Sequence, residues 1–198
     1  LKDIQVINDV MNGELDKYTV LIDKYHNELF QYLHNVIGSI SKTEEILQEI
    51  FFKSYQHFDR FDSSYASYRI WMYRISGKHL MKYLKTYQKP VEKTIVSANN
   101  QVDKILLAMA KTLRPKHFKI LSLCYFSNLE LDDISKSLNS SEKSIQRAVK
   151  RSMLKVHLKE LDCGKVSRPI DEAAIAKSKE QSAKVIMNRV YVYKNEHK

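Results

Sequence analysis

From Thr43 to Lys85 apolar residues recur every three or four positions in two successive runs, separated by a short Ser/Tyr-rich stretch. A pattern of that period can bury one face only on an α-helix, so the segment predicts a pair of helices. In the first run Ile46, Leu47, Ile50, Phe51, Ser54, Tyr55 and Phe58 make the inner side, while Glu45, Gln48, Glu49 and Phe52 fall toward another face. Ser41 or Thr43 can cap this helix, Ser41 standing at capping-box spacing from Glu44. The second run begins near Ala66 or Ser67, with Tyr68, Trp71, Met72, Ile75, Leu80 and Leu84 inside. Arg74, Lys78, Lys82 and Lys85, spaced four, four and three apart, form one basic stripe along it.

The rest of the chain follows the same period. Leu15 to Ile37 is a long amphipathic helix ended by Gly38 and Ser39, preceded by a frayed end or short helix over residues 1–12. Only 4 Gly and 3 Pro occur in 198 residues, which argues against a turn-rich β fold. The fold class is therefore all-α. Tyr87 to Asn100, with Pro90, Ser97 and two Asn, reads as a linker. Residues 101–112 form a helix on Val102, Ile105, Leu106 and Met109, and Pro115 starts another, nearly apolar all round. Two small domains result, over 1–87 and 101–162, joined by a linker at 88–100 and followed by an extension at 163–198. That extension reads as a flexible basic tail, a partly helical module packed on the second domain, or a holder for a regulator. Its Val190-Tyr191-Val192-Tyr193 run is compatible with a short strand.

Leu129 to Leu138, the turn Asn139-Ser140-Ser141 and a helix from Glu142 to about Leu158 read as a helix-turn-helix. Ser141 can cap the second helix, and Ile145, Val149, Leu154 and Val156 supply its apolar positions. Lys143, Gln146 and Arg147 lie in its first two turns, where side chains reach base edges: Lys and Arg suit guanine, Gln suits adenine. Ser144, Lys150 and Arg151 suit phosphates.

Charge divides the chain in the same way. Residues 1–62 carry six basic and eleven acidic side chains, whereas residues 63–100 carry seven basic and one acidic. The whole chain carries a formal charge of +10. An acidic front and a basic remainder point to two kinds of partner, one polyanionic. The basic stripe beside Tyr65, Tyr68, Trp71 and Tyr73 suits single-stranded nucleic acid, since cations track phosphates and aromatic faces stack on bases. Trp71, Tyr65 and Tyr68 serve equally well as core residues, and the Glu45/Gln48/Glu49/Phe52 face as a solvated surface. Cys124 and Cys163 stand in no metal-ligand spacing, and Cys124 reads as a buried thiol in a reducing cytoplasm. There is no Gly-rich phosphate loop, HExxH or Cys/His cluster, so neither enzyme, metal nor cofactor is expected. No apolar run approaches the length of a membrane span.

Glu44-Glu45-Ile46-Leu47-Gln48-Glu49-Ile50-Phe51, Phe58-Asp59-Arg60-Phe61-Asp62 and Trp71-Met72-Tyr73-Arg74-Ile75 resemble the second conserved region of sigma factors of the extracytoplasmic-function class. Leu113-Arg114-Pro115-Lys116 and Leu129 to Lys155 resemble the fourth region, with Pro115 one place from the family's Leu-Pro and Asn139 in place of a small turn residue. Together the resemblances cover residues 12–160 in the family order. They imply a cytoplasmic alternative sigma factor that docks on core RNA polymerase through Glu45, Gln48, Glu49 and Phe52. They also imply that the loop at Ser63–Ser67 receives a base flipped from the minus-ten element. Ser64, Tyr65, Ser67, Tyr68, Trp71, Arg74, Lys78 and Lys82 would then hold the melted strand, and Lys143, Ser144, Gln146, Arg147, Lys150 and Arg151 the minus-35 element. An anti-sigma protein, in some cases membrane-anchored, is implied as inhibitor. A stand-alone helix-turn-helix regulator is the other reading; it leaves the acidic helix and the aromatic loop without a role.

Overall fold

The computed structural model describes residues 2–95, 101–157, 167, 168 and 170–197. Over these residues the backbone forms nine α-helices and two short 3-10 turns, with no strand. Cys163, Gly164, Pro169 and the linker residues 96–100 lie outside the described residues.

The first half is built on α1 (Asp3–Met11), α2 (Tyr18–Ile37), α3 (Ile40–Gln56) and α4 (Tyr68–Ile95). Gly38 closes α2 in the left-handed conformation, at φ 75°. The chain turns so tightly there that Ser39, not Ser41 or Thr43, is the cap of α3, its Oγ accepting from the Lys42 amide at 3.4 Å. The Thr43 hydroxyl instead donates to the Ser39 carbonyl. Tyr18, Leu21, Leu29, Leu33, Leu47, Phe51 and Tyr68 are at most 1% exposed and make the core of this half. Two buried tyrosine hydroxyls are satisfied inside it: Tyr18 Oη donates to the Phe51 carbonyl at 2.7 Å, and Tyr68 Oη bonds Ser54 Oγ at 2.6 Å.

The fourth helix runs to Ile95, past Tyr87 where the sequence placed the start of a linker. The helix thus continues through Pro90, a residue that costs about 3 kcal/mol in a helix interior.

The second half packs α5 (Gln101–Thr112), α6 (Pro115–Phe126), α7 (Leu131–Ser137) and α8 (Glu142–Val156). Pro115 stands in the first turn of α6, and every residue from Ile120 to Ser127 is buried. Asn139 turns the chain between α7 and α8 at φ 50°, and Ser141 Oγ caps α8 on the Ser144 amide. Ile145, Val149, Ser152 and Val156 are its inner stripe; Leu154, expected there, is 70% exposed because it falls off the three-four spacing of the other four.

The last helix, α9 (Glu172–Glu196), starts at a capping Asp171 whose Oδ1 accepts from the Ala173 amide. It does not pack on the helix-turn-helix. It lies in the groove between α2 and α3, antiparallel to the former: Lys179 meets Asp23 and Tyr191 meets Asp16. Ser178, Ser182, Ile186 and Val190, four apart, are its buried stripe. That stripe explains why Val190–Tyr193 is helix and not strand. Only helical spacing puts Ile186, Val190 and Tyr193 on one side, and their packing outweighs the β preference of the local sequence.

The rings of His26, Phe30 and His34 stack along α2 at 5.7 and 5.8 Å. His26 Nε2 and His34 Nδ1 find no hydrogen-bond partner among the described residues. Burial, aided by the charge of Lys179, pushes His26 down to about 4. An unfolded imidazole takes up its proton near 6.5, so between pH 6.5 and 4 the unfolded chain binds more protons than the folded one. Stability is therefore lost as pH falls through that window, by up to about 3 kcal/mol from this group. Urea melts at pH 7 and pH 4.5 should show that loss, and His26→Leu should reduce it.

Candidate functional site

Three surfaces carry the predicted site residues. The first is the loop between α3 and α4. A 3-10 turn at Phe58–Arg60 leads into it, and Asp62 ties it down: Asp62 Oδ1 accepts from the Ser64 amide at 2.9 Å and from Ser64 Oγ at 2.6 Å. These bonds hold the Asp62 carboxyl below its usual range. Ser67 Oγ accepts from the Ile70 amide and caps α4. A cleft of about 290 Å³ opens beside the loop, lined by Arg60, Phe61, Asp62, Tyr65, Ala66, Trp71, Arg74 and Asn139. That is the low end of the ~300–1,000 Å³ range of small-molecule clefts, with room for one flat group.

The aromatics divide between wall and foundation. Tyr65 is 44% exposed, and the Arg74 guanidinium sits over its ring at 5.2 Å. Trp71 shows only an edge to the cleft; its ring packs on Phe61 at 5.3 Å and Tyr68 at 5.8 Å. Tyr68 is 1% exposed and bonded to Ser54, so it braces the loop from beneath instead of offering a face to solvent. Burial raises its hydroxyl well above the ordinary tyrosine range.

Arg74 donates to the carbonyls of Lys136 at 2.8 Å and Ser137 at 3.3 Å, at the C-terminal end of α7 where a cation is favoured. Lys78 and Lys82 follow on the exposed side of α4. Lys119 of α6 joins this patch, its side chain laid against Gly77. Burial and the charges of Lys78 and Arg74 lower its pKa. Neither Lys119 nor Asn139 is marked by any local motif; both reach the site from the other half of the chain.

The two halves dock directly. Arg69 forks onto Glu28 and also meets Asp133 at 3.7 Å and the Asn128 carbonyl at 3.1 Å. Tyr65 Oη donates to Asn139 Oδ1 at 2.9 Å. The turn of the helix-turn-helix thus stands at the mouth of the aromatic cleft.

The second surface is the outer face of α8. Lys143, Ser144, Gln146, Arg147, Lys150 and Arg151 are all exposed. Gln146 is held by Glu142, one turn back, at 2.9 Å. The inner face packs on α5, α6 and α7, which leaves the basic side clear.

The third surface is the face of α3 that carries Glu45, Gln48, Glu49 and Phe52, and it is largely covered. Arg189 of α9 pairs with Glu49 at 2.7 Å and lies over the Phe52 ring at 4.1 Å. Gln48 donates to Ser182 Oγ at 3.4 Å, and Tyr193 meets Phe52 and Tyr55 edge-on at 5.8 and 6.0 Å. Glu45, at the start of this face, stays exposed and pairs with Lys42. Among the described residues no helix is long and apolar enough to cross a membrane, and no group of His, Cys, Asp or Glu is placed to hold a metal ion.

Residues 21–89 match the family described as Sigma-70 region 2. The chain is 30% identical over 70 residues to the ECF RNA polymerase sigma factor SigW of Bacillus subtilis (strain 168), a match covering 35% of this chain and 37% of SigW. It is 21% identical over 141 residues to the ECF RNA polymerase sigma factor SigM of the same organism, covering 65% of this chain and 85% of SigM. Its fold is that of CnrH, solved in complex with the cytosolic domain of CnrY: TM-score 0.60 at 15% identity, over 78% of this chain and 94% of that one.

Proposed function

We propose that the chain is a sigma factor of the extracytoplasmic-function class of the sigma-70 family, which binds core RNA polymerase and directs transcription from promoters it recognises in two places. Residues 1–87, on this reading, are the polymerase-docking and minus-ten domain, and residues 101–162 the minus-35 domain. The observation that carries the reading is the pairing, in one chain, of an aromatic–cationic cleft inside the region-2 match with an exposed basic recognition helix. Lys143, Gln146 and Arg147 read base edges in the duplex, and Ser144, Lys150 and Arg151 hold its phosphates. Tyr65 and Trp71, with Ser64 and Ser67 on the loop, receive an unstacked base, while Arg74, Lys78, Lys82 and Lys119 hold the opened strand. Each grip is weak alone, and the polymerase that carries both raises the effective concentration of the second. No bond is made or broken by the chain itself. Because CnrH was solved with the cytosolic domain of CnrY, a dedicated anti-sigma protein is proposed as a further partner.

Runoff transcription with core polymerase and genomic fragments tests this, with permanganate footprinting to report opened thymines. Discrete transcripts dependent on the chain are expected. Tyr65→Ala should weaken opening about 5- to 150-fold, the loss of one stacked base at roughly 1–3 kcal/mol, while leaving duplex binding intact. Tight duplex binding by the chain alone, with no transcript, would overturn the proposal in favour of a self-sufficient repressor.

A further inference from the structure

We infer that the α2–α3 groove is a helix-binding site with two competing occupants: α9 of the same chain, and the polymerase. The inference rests on the docking role proposed above for α3. Of the four side chains assigned to that contact, Gln48, Glu49 and Phe52 are engaged by α9. The engagement has the form expected of a substitute partner. Arg189 answers the acidic Glu49 and covers the apolar Phe52 with the same guanidinium, so one residue satisfies both characters of the face. Ile186 and Val190, both fully buried, fill the groove between α2 and α3.

The seam is built to open. Its ion pairs, Arg189–Glu49 and Lys179–Asp23, stand at the rim, where solvent readily replaces them. Two serines, Ser178 and Ser182, occupy the buried stripe where larger apolar side chains would close it more firmly. His26 Nε2 and Ser178 Oγ are buried along the seam without hydrogen-bond partners among the described residues, a cost relieved when α9 lifts off. Leu47, Ile50 and Phe51 are fully buried on the inner side of α3, whereas the side chains that α9 engages, Gln48, Glu49 and Phe52, stay partly exposed even with α9 seated. Detachment of α9 would expose the docking face of α3. While α9 is seated, the apparent affinity for polymerase is reduced by the fraction of molecules that are open.

The test is equilibrium binding of the full-length chain to core RNA polymerase. The wild type is compared with Ile186→Asp/Val190→Asp, which detaches α9 but leaves every residue of α3 unchanged, and with Arg189→Glu, which removes only the clamp on Glu49. Detachment should tighten binding at least about tenfold, equivalent to 1.4 kcal/mol, and Arg189→Glu should shift it in the same direction. Equal or weaker binding by the detached chain overturns the inference while leaving the polymerase reading standing. Absence of binding by every form overturns both. Hydrogen exchange of the wild type gives an independent readout: amides of residues 172–196 should lose protection when polymerase binds, and retained protection overturns the inference.

Discussion

Phe51→Ala is expected to destabilise the chain by about 3–5 kcal/mol, seen as a lower urea midpoint with an unchanged slope. Phe51 is fully buried on the inner side of α3 and meets Tyr18 edge-on at 6.4 Å. Its carbonyl also accepts the Tyr18 hydroxyl, so a collapse of the backbone into the cavity would disturb a buried hydrogen bond. Domains of this size hold about 5–15 kcal/mol in all, so this one substitution removes a large share. The contrast with Glu45→Ala separates folding from docking on the same helix. Glu45 is exposed and pairs with a neighbouring lysine, so its removal should leave stability within about 0.5 kcal/mol. Any loss of polymerase binding by that variant then belongs to the interface.

The difference between these residues was readable from spacing alone. The inner positions of α3 recur every three or four residues, and local periodicity is what a one-dimensional sequence displays best. The same holds for Val102, Ile105, Leu106 and Met109 of α5, all buried as their spacing requires. Where a choice depended on a neighbour distant in the chain, spacing was silent. Tyr68 and Tyr65 look alike in sequence. One is sealed against Tyr18 and Ser54 and the other stands in solvent, because α2 and α3 close over the first and not the second. Asn139 reaches the aromatic cleft, and Lys119 the basic patch beside it, from more than forty positions away, and no local pattern marks them. The destination of α9 was hidden for the same reason. Its apolar residues are loosely spaced and β-branched, and only the groove between α2 and α3 supplies the surface that makes them helical.

Two closures follow from those distant contacts, and they act on different functions. The helix-turn-helix turn, through Asn139 and the Arg74 bonds to α7, stands over the cleft proposed for the melted strand. The last helix covers the face proposed for polymerase. The recognition face of α8 is left open by both. In this arrangement the face proposed for duplex DNA is free while the other two surfaces are engaged internally.

That open face carries the second large effect. Lys143→Ala/Arg147→Ala should weaken polymerase-dependent binding to the upstream promoter element by roughly 2–6 kcal/mol, taking about 1–3 kcal/mol for each base contact. Both side chains lie within two turns of the capped N-terminus of α8, the end proposed to enter the major groove, and both are exposed. Lys150 lies further along the helix and is proposed to meet phosphate. Its alanine variant should weaken all sequences alike and lower the salt dependence of binding by about one charge. Anisotropy titrations of promoter and scrambled duplexes at two salt concentrations distinguish the two behaviours. If the double variant instead loses affinity equally on both duplexes, Lys143 and Arg147 are phosphate contacts, and sequence is read from Gln146 or from the shape of the DNA. Gln146 is already oriented by Glu142, so it would reach an adenine only by exchanging that partner. On the proposed reading this places the larger part of discrimination on the two cations, Lys143 and Arg147.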